Sequence, residues 1–246
     1  MNGTLVDANS SLVTREQLKY LAPPPATVTW KPIAHYDLVQ AIDRQLAVRD
    51  IQIVKEEFAL AHEGLRLFGV LELHVPGREG LTCPPDSGQD YHFAMGIRTA
   101  NDRSFATQLA VGARVFVCSN LAFSGDLIAM NRKHTAKFDL NADISRAVDR
   151  FQAHLGTFGG KLEGLKQWSL DPYQAKAFIY DAFEQDIVPV RLFNAVMAGY
   201  KAGQPQISAW ALHNIFTAAV KQLAPSSAFQ TTTGLGRLFG LSATNT

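Results

Sequence analysis

The chain has 246 residues, 47% hydrophobic side chains and a formal net charge of +1. This composition excludes a disordered chain, and the near-neutral charge means that any anion-binding surface must come from local clustering of cations. We expect no membrane span, because no apolar run approaches the ~18 residues that cross a bilayer. The two cysteines, Cys83 and Cys118, are expected to be free thiols of a cytoplasmic protein.

The N-terminal half predicts a helix, a second helix and then strands. Residues 1–13 are polar and predict a flexible arm, and Thr14 is a suitable N-cap for a short helix that ends before three prolines. Apolar residues at helical spacing predict the second helix over 36–49. Runs rich in β-branched and aromatic residues predict a hairpin of strands 51–60 and 66–75 and a third strand over 91–100. The Pro- and Gly-rich loop 76–90 is expected at the surface.

The middle of the chain predicts a helix and then further strands. Ser104 is expected to cap a short helix over 105–113, which Gly112 interrupts. Strand character returns at 115–118, and Asn120 and Gly125 predict two turns.

The C-terminal third predicts helices. Asn141 or Asp143 is expected to cap a long helix through Trp168, with a break or kink near Gly159 and Gly160. Further helices are predicted from Pro172, with Asp171 as the N-cap, from Pro189, and after the N-cap Ser208. The fold class is therefore α+β: an antiparallel curved sheet, made of a hairpin, a third strand and further short strands, followed by a helical C-terminal third. We expect a single domain over 14–225, sheet-rich over 14–140 and helical over 141–225, and a flexible or docking tail over 226–246.

Motifs for common catalytic and cofactor sites are absent from the sequence. There is no P-loop, no GxSxG and no HExxH, and the GLGRLFG of the tail lacks the preceding strand that a dinucleotide site requires. The sequence therefore predicts no catalytic residues, no metal and no cofactor, and it favours a protein that is not an enzyme.

One segment is unusually basic. Between Arg98 and Phe138 the chain carries six lysines and arginines against two aspartates, a local charge of +4. Cations interleaved with aromatic and amide side chains are the parts of a nucleic-acid groove, although the arginines could equally pair with carboxylates from elsewhere. Phe116 or Phe123 is expected to stack on bases, unless the rings serve the core. The candidate nucleic-acid-binding residues are Arg98, Asn101, Arg114, Asn120, Arg132, Lys133 and His134.

The same segment resembles a phage- and plasmid-associated family, the "domain of unknown function 932". The resemblance rests on the stretches 96–104 (GIRTANDRS), 112–120 (GARVFVCSN) and 132–135 (RKHT), and on Trp210, Asn214 and Thr217 near the C-terminus. The chain departs from the family at 99–102, where Thr-Ala-Asn-Asp replaces a pattern like Asn-Ser-His-Asp. That departure counts against a universal catalytic role for the missing histidine. The resemblance implies a mobile-element context but no activity.

A second resemblance is topological. A helix followed by a curved three-strand meander and another helix is similar to the core of phage single-strand annealing proteins, which form rings and hold single-stranded DNA in a basic groove. Since folds host many functions, this is analogy.

Three hypotheses follow. The first is a DNA-associated protein that binds single strands and could act as a homo-oligomer. The second is an interaction protein that neutralises a host defence component, which an apolar tail (Leu235, Leu238, Phe239, Leu241) favours slightly. The third is an enzyme with a polar pocket of Arg114, Asn120 and His134.

Overall fold

The computed structural model describes residues 10–76, 91–115, 121–135, 137–203 and 206–241. Several sequence predictions fall outside these residues. They concern Cys83, Cys118, Phe116, Asn120, most of the Pro- and Gly-rich loop and the strand over 115–118. The side chains of Arg114 and Phe123 are likewise outside the description, although their backbone is within it.

The centre of the fold is a six-stranded antiparallel meander in which each strand pairs with the next along the chain, in the order β1 to β6. A separate two-stranded ribbon joins β7 and β8. The strands are β1 (Ser10–Val13), β2 (Gln52–Ala61), β3 (Arg66–His74), β4 (Tyr91–Ala100), β5 (Thr107–Val115), β6 (Leu121–Arg132), β7 (Ser169–Leu170) and β8 (Ile207–Ser208).

The described residues form seven α-helices, mostly in the C-terminal part of the chain, so the α+β prediction is confirmed. Thr14 and Asp171 form the capping boxes that begin α1 and α4, and the Ser208 hydroxyl accepts from Ala211 N–H at the start of α6. The helices are α1 (Arg15–Leu18), α2 (His35–Ala47), α3 (Leu140–Gln167), α4 (Pro172–Glu184), α5 (Phe193–Ala202), α6 (Ala209–Val220) and α7 (Pro225–Leu238). A 3-10 turn, Val190–Leu192, precedes α5.

The two faces of the sheet are buried differently, because successive strand residues point to opposite sides. One face joins the main core with α2 and α3, where Phe93 packs 6.4 Å from Phe158 between ring centroids. The other face holds a smaller cluster that includes Phe68, Val70 and Ala94, and Phe229 of α7 closes it. The second face is therefore covered as well. The candidate functional site lies instead at the end of the sheet, near the β4–β5 turn.

Three predictions in the sheet are wrong. Gly125, which the sequence assigns to a turn, lies within β6. Residues 10–13, which the sequence assigns to a flexible arm, form β1 and pair with β2 from Val13 opposite Phe58. The helix expected over 105–113 is instead β5, which pairs along its length with β4 and β6. The Ser104 hydroxyl donates to Asp102 within the turn rather than capping a helix. Pairing on both sides overrides the helix preference of the Gln, Leu and Ala residues.

Two predictions in the helical part are also corrected. Helix α3 begins at an N-cap on Asp139, not on Asn141 or Asp143, and runs unbroken through Gly159 and Gly160. Of the flexible or docking tail expected over 226–246, residues 226–238 belong to α7, which packs on β6. Its Thr232 hydroxyl donates back to Ala228 O at 2.7 Å. No helix in the described ranges is both long and apolar enough to cross a membrane.

Candidate nucleic-acid interface

A concave pocket of about 480 Å³ lies at the end of the sheet where the β4–β5 turn meets the residues that follow β6. This size is within the range of ligand pockets in proteins. Trp30 and Thr135 form an isolated antiparallel bridge, and Lys31 N–H donates to His134 O at 3.0 Å. These bonds hold the segment before α2 beside the end of β6. We call this cavity the Trp30 pocket, and its side chains include Trp30, Arg103, Phe105, Lys133, His134 and Thr135.

The β4–β5 turn forms one wall of the Trp30 pocket and is fixed by Asp102. One carboxylate oxygen of Asp102 accepts from the Ser104 amide at 3.0 Å and from its hydroxyl at 2.5 Å. The other accepts from Arg66 Nε at 2.6 Å. Burial raises the pKa of Asp102, but the Ser104 and Arg66 hydrogen bonds outweigh it and hold the pKa below its ordinary value. Arg66 thus balances the negative charge of Asp102 within the turn. The next residue, Arg103, has a φ of +65°.

Arg103 is exposed and stacks on Trp30. Its Cζ lies 4.5 Å from the centroid of the indole ring, within the range of a cation–π contact. Trp30 is itself fixed by its own turn, since Thr27 N–H donates to Trp30 O at 2.8 Å and Trp30 N–H donates to the Thr27 hydroxyl at 3.2 Å. The pocket therefore has an aromatic wall with a cation already placed against it.

Arg98 lies behind the pocket rather than in it. Its guanidinium is between two rings, with Cζ 4.8 Å from the Phe105 centroid and 5.3 Å from that of Phe229. Arg98 is 9% exposed, and no group in the described structure accepts a hydrogen bond from its Nε. Burial lowers the pKa of Arg98. The Arg98 guanidinium packs against Phe105 inside the protein, so it cannot contact a ligand at the surface.

His134 lines the pocket but is buried. Its Nε2 lies 2.5 Å from the Thr107 hydroxyl and 3.0 Å from the Thr99 hydroxyl. Burial, and then the nearby imidazole of His35, lower the pKa of His134 to about 4. His134 is therefore neutral at physiological pH and contributes shape and polarity to the pocket, not charge.

Arg132 and Lys133 are consecutive but have different surroundings. Arg132 donates from Nε and an Nη to Asp143 Oδ1 at 3.1 and 3.0 Å, and Arg146 donates to the same oxygen at 2.6 Å. Burial raises the pKa of Asp143, but these hydrogen bonds outweigh it and lower the pKa overall. Lys133 is exposed in the pocket, and no carboxylate of the described residues pairs with it.

Asn101 is used inside the fold. Its Nδ2 donates to Ile33 O at 2.9 Å, and its Oδ1 accepts from Ile33 N–H at 3.2 Å. Its backbone N–H also donates to Leu65 O at 2.7 Å. Both ends of the amide are occupied, so Asn101 anchors the segment before α2 to the end of β4.

The structure thus brings together part of the predicted set. Lys133 and His134 are in the Trp30 pocket, Arg98 is one layer behind it, and Arg132 and Asn101 have partners elsewhere. Arg114 lies on β5 at the opposite end from the β4–β5 turn, in register with His92. Sequence reasoning counted Arg103 in the basic segment but did not include Arg103, Phe105 or Trp30 among the site residues. For Trp30 the available signal was a tryptophan in a polar, proline-flanked segment outside every predicted element.

The fold and pocket define an α+β protein built on a six-stranded antiparallel meander. The chain belongs to the family described as "Domain of unknown function (DUF932)", whose model matches residues 34–236. This confirms the family resemblance of the sequence. The match includes Arg103 and Lys133 and begins after Trp30. Neither the curated proteins nor the solved structures gave a match.

Proposed function

We propose that this protein binds single-stranded nucleic acid, DNA in particular, through the Trp30 pocket. The observation that supports the proposal is the lining of that pocket. It combines two cations and two aromatic rings, and it contains no Asp or Glu within the described residues. Single-stranded binding sites combine cations that follow the backbone with rings on which bases stack.

The proposal gives each side chain a role. Arg103 and Lys133 contact phosphate, because both are exposed and neither pairs with a carboxylate of the described structure. Trp30 and Phe105 offer rings for bases. Arg103 lies against the Trp30 ring, and Arg98 and Arg66 lie against the Phe105 ring, which limits the movement of both rings.

The biological setting is also part of the proposal. The family resemblance implies a protein of a phage, prophage or plasmid, and we place its action in the cytoplasm, where single strands arise during replication and repair of such elements. We place binding at this pocket rather than on the broad basic sheet face that the sequence predicts, because Arg98 is buried and Arg132, although half exposed, pairs with Asp143.

Fluorescence anisotropy with a labelled single-stranded oligonucleotide at low salt tests the proposal. Phosphate-dominated binding is strongest at low salt, so absence of binding there would contradict it. Arg103→Glu and Lys133→Glu are expected to weaken binding at least tenfold. The matched controls Arg191→Glu and Lys201→Glu, which change exposed cations on the helical side, are expected to bind as the unchanged protein does.

The other two hypotheses have less support. The apolar tail that favoured a defence-neutralising protein is largely internal, because Leu235, Phe239 and Leu241 are buried. The enzyme hypothesis relied on Arg114, Asn120 and His134. Of these, His134 is neutral and hydrogen-bonded to two threonines, and the other two side chains lie outside the described residues.

A further inference from the structure

Exposed apolar side chains concentrate on one part of the helical region. Ten large hydrophobic residues are exposed within the described structure, and five of them fall between residues 168 and 193. Single exposed apolar residues are ordinary, but a concentrated group marks an interaction surface. The five are Trp168, Tyr173, Tyr180, Val190 and Phe193.

Helix α4 carries the centre of this group. Its inner side packs into the core through Ala175, Ile179 and Ala182. Its outer side presents Tyr173, Ala177, Tyr180 and Glu184, spaced by four, three and four residues. This spacing forms one continuous stripe on a helix and is the spacing of helix–helix seams. Tyr173 is 85% exposed and Tyr180 is 68% exposed, so the stripe has no partner within the described part of the chain.

The charges along the stripe are self-complementary. Lys176 and Glu184 lie four residues before and after Tyr180, about 6 Å away in each direction along the helix axis. Both are exposed, and neither forms an ion pair with a described residue. If two α4 helices meet antiparallel about a two-fold axis at Tyr180, Lys176 of each faces Glu184 of the other. A parallel pairing would instead place like charges opposite each other.

We propose that α4 forms the interface between two copies of this chain, packed antiparallel about Tyr180. A two-fold interface requires a surface that complements itself, and the Lys176–Tyr180–Glu184 pattern meets that requirement. The tyrosines supply the aromatic contacts that are enriched in interface cores.

Neighbouring rings widen the surface beyond one helix. Phe193 packs edge-on to Phe183 of α4, with 5.3 Å between centroids, and Trp168 packs edge-on to Phe178 with 5.5 Å. Both Phe193 and Trp168 remain about half exposed. They extend the apolar surface on either side of the stripe towards the ~800 Å² per partner that a stable dimer requires.

Sedimentation velocity over a concentration series tests this proposal without any nucleic acid. The unchanged protein is expected to form dimers at or below about 100 µM. Tyr180→Ala is expected to weaken dimerisation at least tenfold. Tyr20→Ala is the matched control, because Tyr20 is also 85% exposed but lies outside the surface, and it is expected to leave dimerisation unchanged.

A charge reversal then tests the antiparallel register. Glu184→Lys and Lys176→Glu are each expected to weaken the dimer at least tenfold, since each places like charges opposite each other. The double variant is expected to restore it to within about threefold, because the two charges only exchange places. A monomer throughout the series would overturn the proposal. A dimer that Tyr180→Ala or the single charge changes do not affect would overturn it too, and so would a double variant that stays weak.

Discussion

The guanidinium of Arg103 lies over the indole ring of Trp30, with 4.5 Å between Cζ and the ring centroid, although the two residues are far apart in the sequence. Two local structures bring them together. The Asp102 turn places Arg103 at the end of the sheet, and the bridge between Trp30 and Thr135 holds the indole beside β6. A ring and two cations thereby share one pocket, which is the arrangement on which the proposed function depends.

Trp30 is expected to contribute binding energy as a stacking platform. Trp30→Ala should weaken single-strand binding roughly fivefold to 150-fold, which corresponds to the ~1–3 kcal/mol of a base–aromatic stack. Trp30→Phe should lose less, because it keeps a ring face. Anisotropy titrations measure the affinities, and far-UV circular dichroism checks that both variants are folded. Equal affinity of the alanine variant and the unchanged protein would show that Trp30 does not contribute to binding.

Asn101 is expected to matter for stability rather than binding. Asn101→Ala removes both hydrogen bonds to Ile33 and should lower the free energy of unfolding by about 1–3 kcal/mol. Urea denaturation measures this loss, and Asn131→Ala, at an exposed asparagine, is the control. If Asn101→Ala left stability unchanged but abolished nucleic-acid binding, Asn101 would be a direct contact and our structural account of it would be wrong.

Replacing two helix glycines, Gly160 and Gly199, by alanine is expected to change the stability in opposite directions. A Cβ at Gly160 meets nothing within 4 Å, so Gly160→Ala should stabilise α3 by up to about 1 kcal/mol. A Cβ at Gly199 would lie 2.8 Å from Ile215 Cγ2. Gly199→Ala should therefore destabilise by roughly 1 kcal/mol, since overpacking outweighs the gain in helix propensity. Thermal unfolding compares the two, and a loss of stability in Gly160→Ala would indicate that α3 requires a glycine there.

Three buried histidines, His35, His134 and His213, are expected to make the protein sensitive to acid, because burial lowers the pKa of each. Burial lowers the pKa of His213 to about 3, and burial and His35 lower that of His134 to about 4. An unfolded histidine titrates near 6.5, so below that pH the unfolded state binds more protons than the folded state. The contribution of these histidines to the free energy of unfolding is therefore fully present above pH ~6.5, and it falls as the pH drops towards about 4. The loss for His134 is on the order of 3 kcal/mol.

Urea denaturation at a series of pH values between about 7.5 and about 4.5 measures this dependence. The lowered pKa values of Asp102 and Asp143 make those carboxylates lose their contribution at lower pH, below about 4, so they do not account for the same window. His154→Gln, at a partly exposed position of α3, should leave the dependence unchanged. Constant stability from about pH 7 to about pH 5 would contradict the assignment of neutral, buried imidazoles.

Much of the fold could be predicted from local patterns. The strand predicted over 91–100 has the same bounds as β4, and the predicted caps at Thr14, Asp171 and Ser208 are present. These features depend on neighbouring residues, which a sequence displays directly. The strand β5 could not be predicted in this way, because its residues favour a helix locally and only pairing with two other strands decides its conformation.

The candidate site was less predictable, for a related reason. Counting charges along the chain located Lys133, but it gave the same weight to Arg132, whose partner Asp143 lies on a different element. Trp30 joins the pocket through backbone bonds to residues near 135. Neither the partner of Arg132 nor the partner of Trp30 can be deduced from the residues next to it in the sequence.

The central claim is that Arg103 and Lys133 contact phosphate, and the salt dependence of binding tests it most directly. On a single strand, each phosphate that a cation neutralises adds about 0.7 to the steepness of log affinity against log salt. The Arg103→Gln/Lys133→Gln double variant should therefore bind more weakly at low salt, with a slope reduced by about 1.4. The Arg191→Gln/Lys201→Gln control should keep both the affinity and the slope of the unchanged protein. An unaltered slope in the Arg103/Lys133 variant, or no binding by the unchanged protein at low salt, would contradict the account.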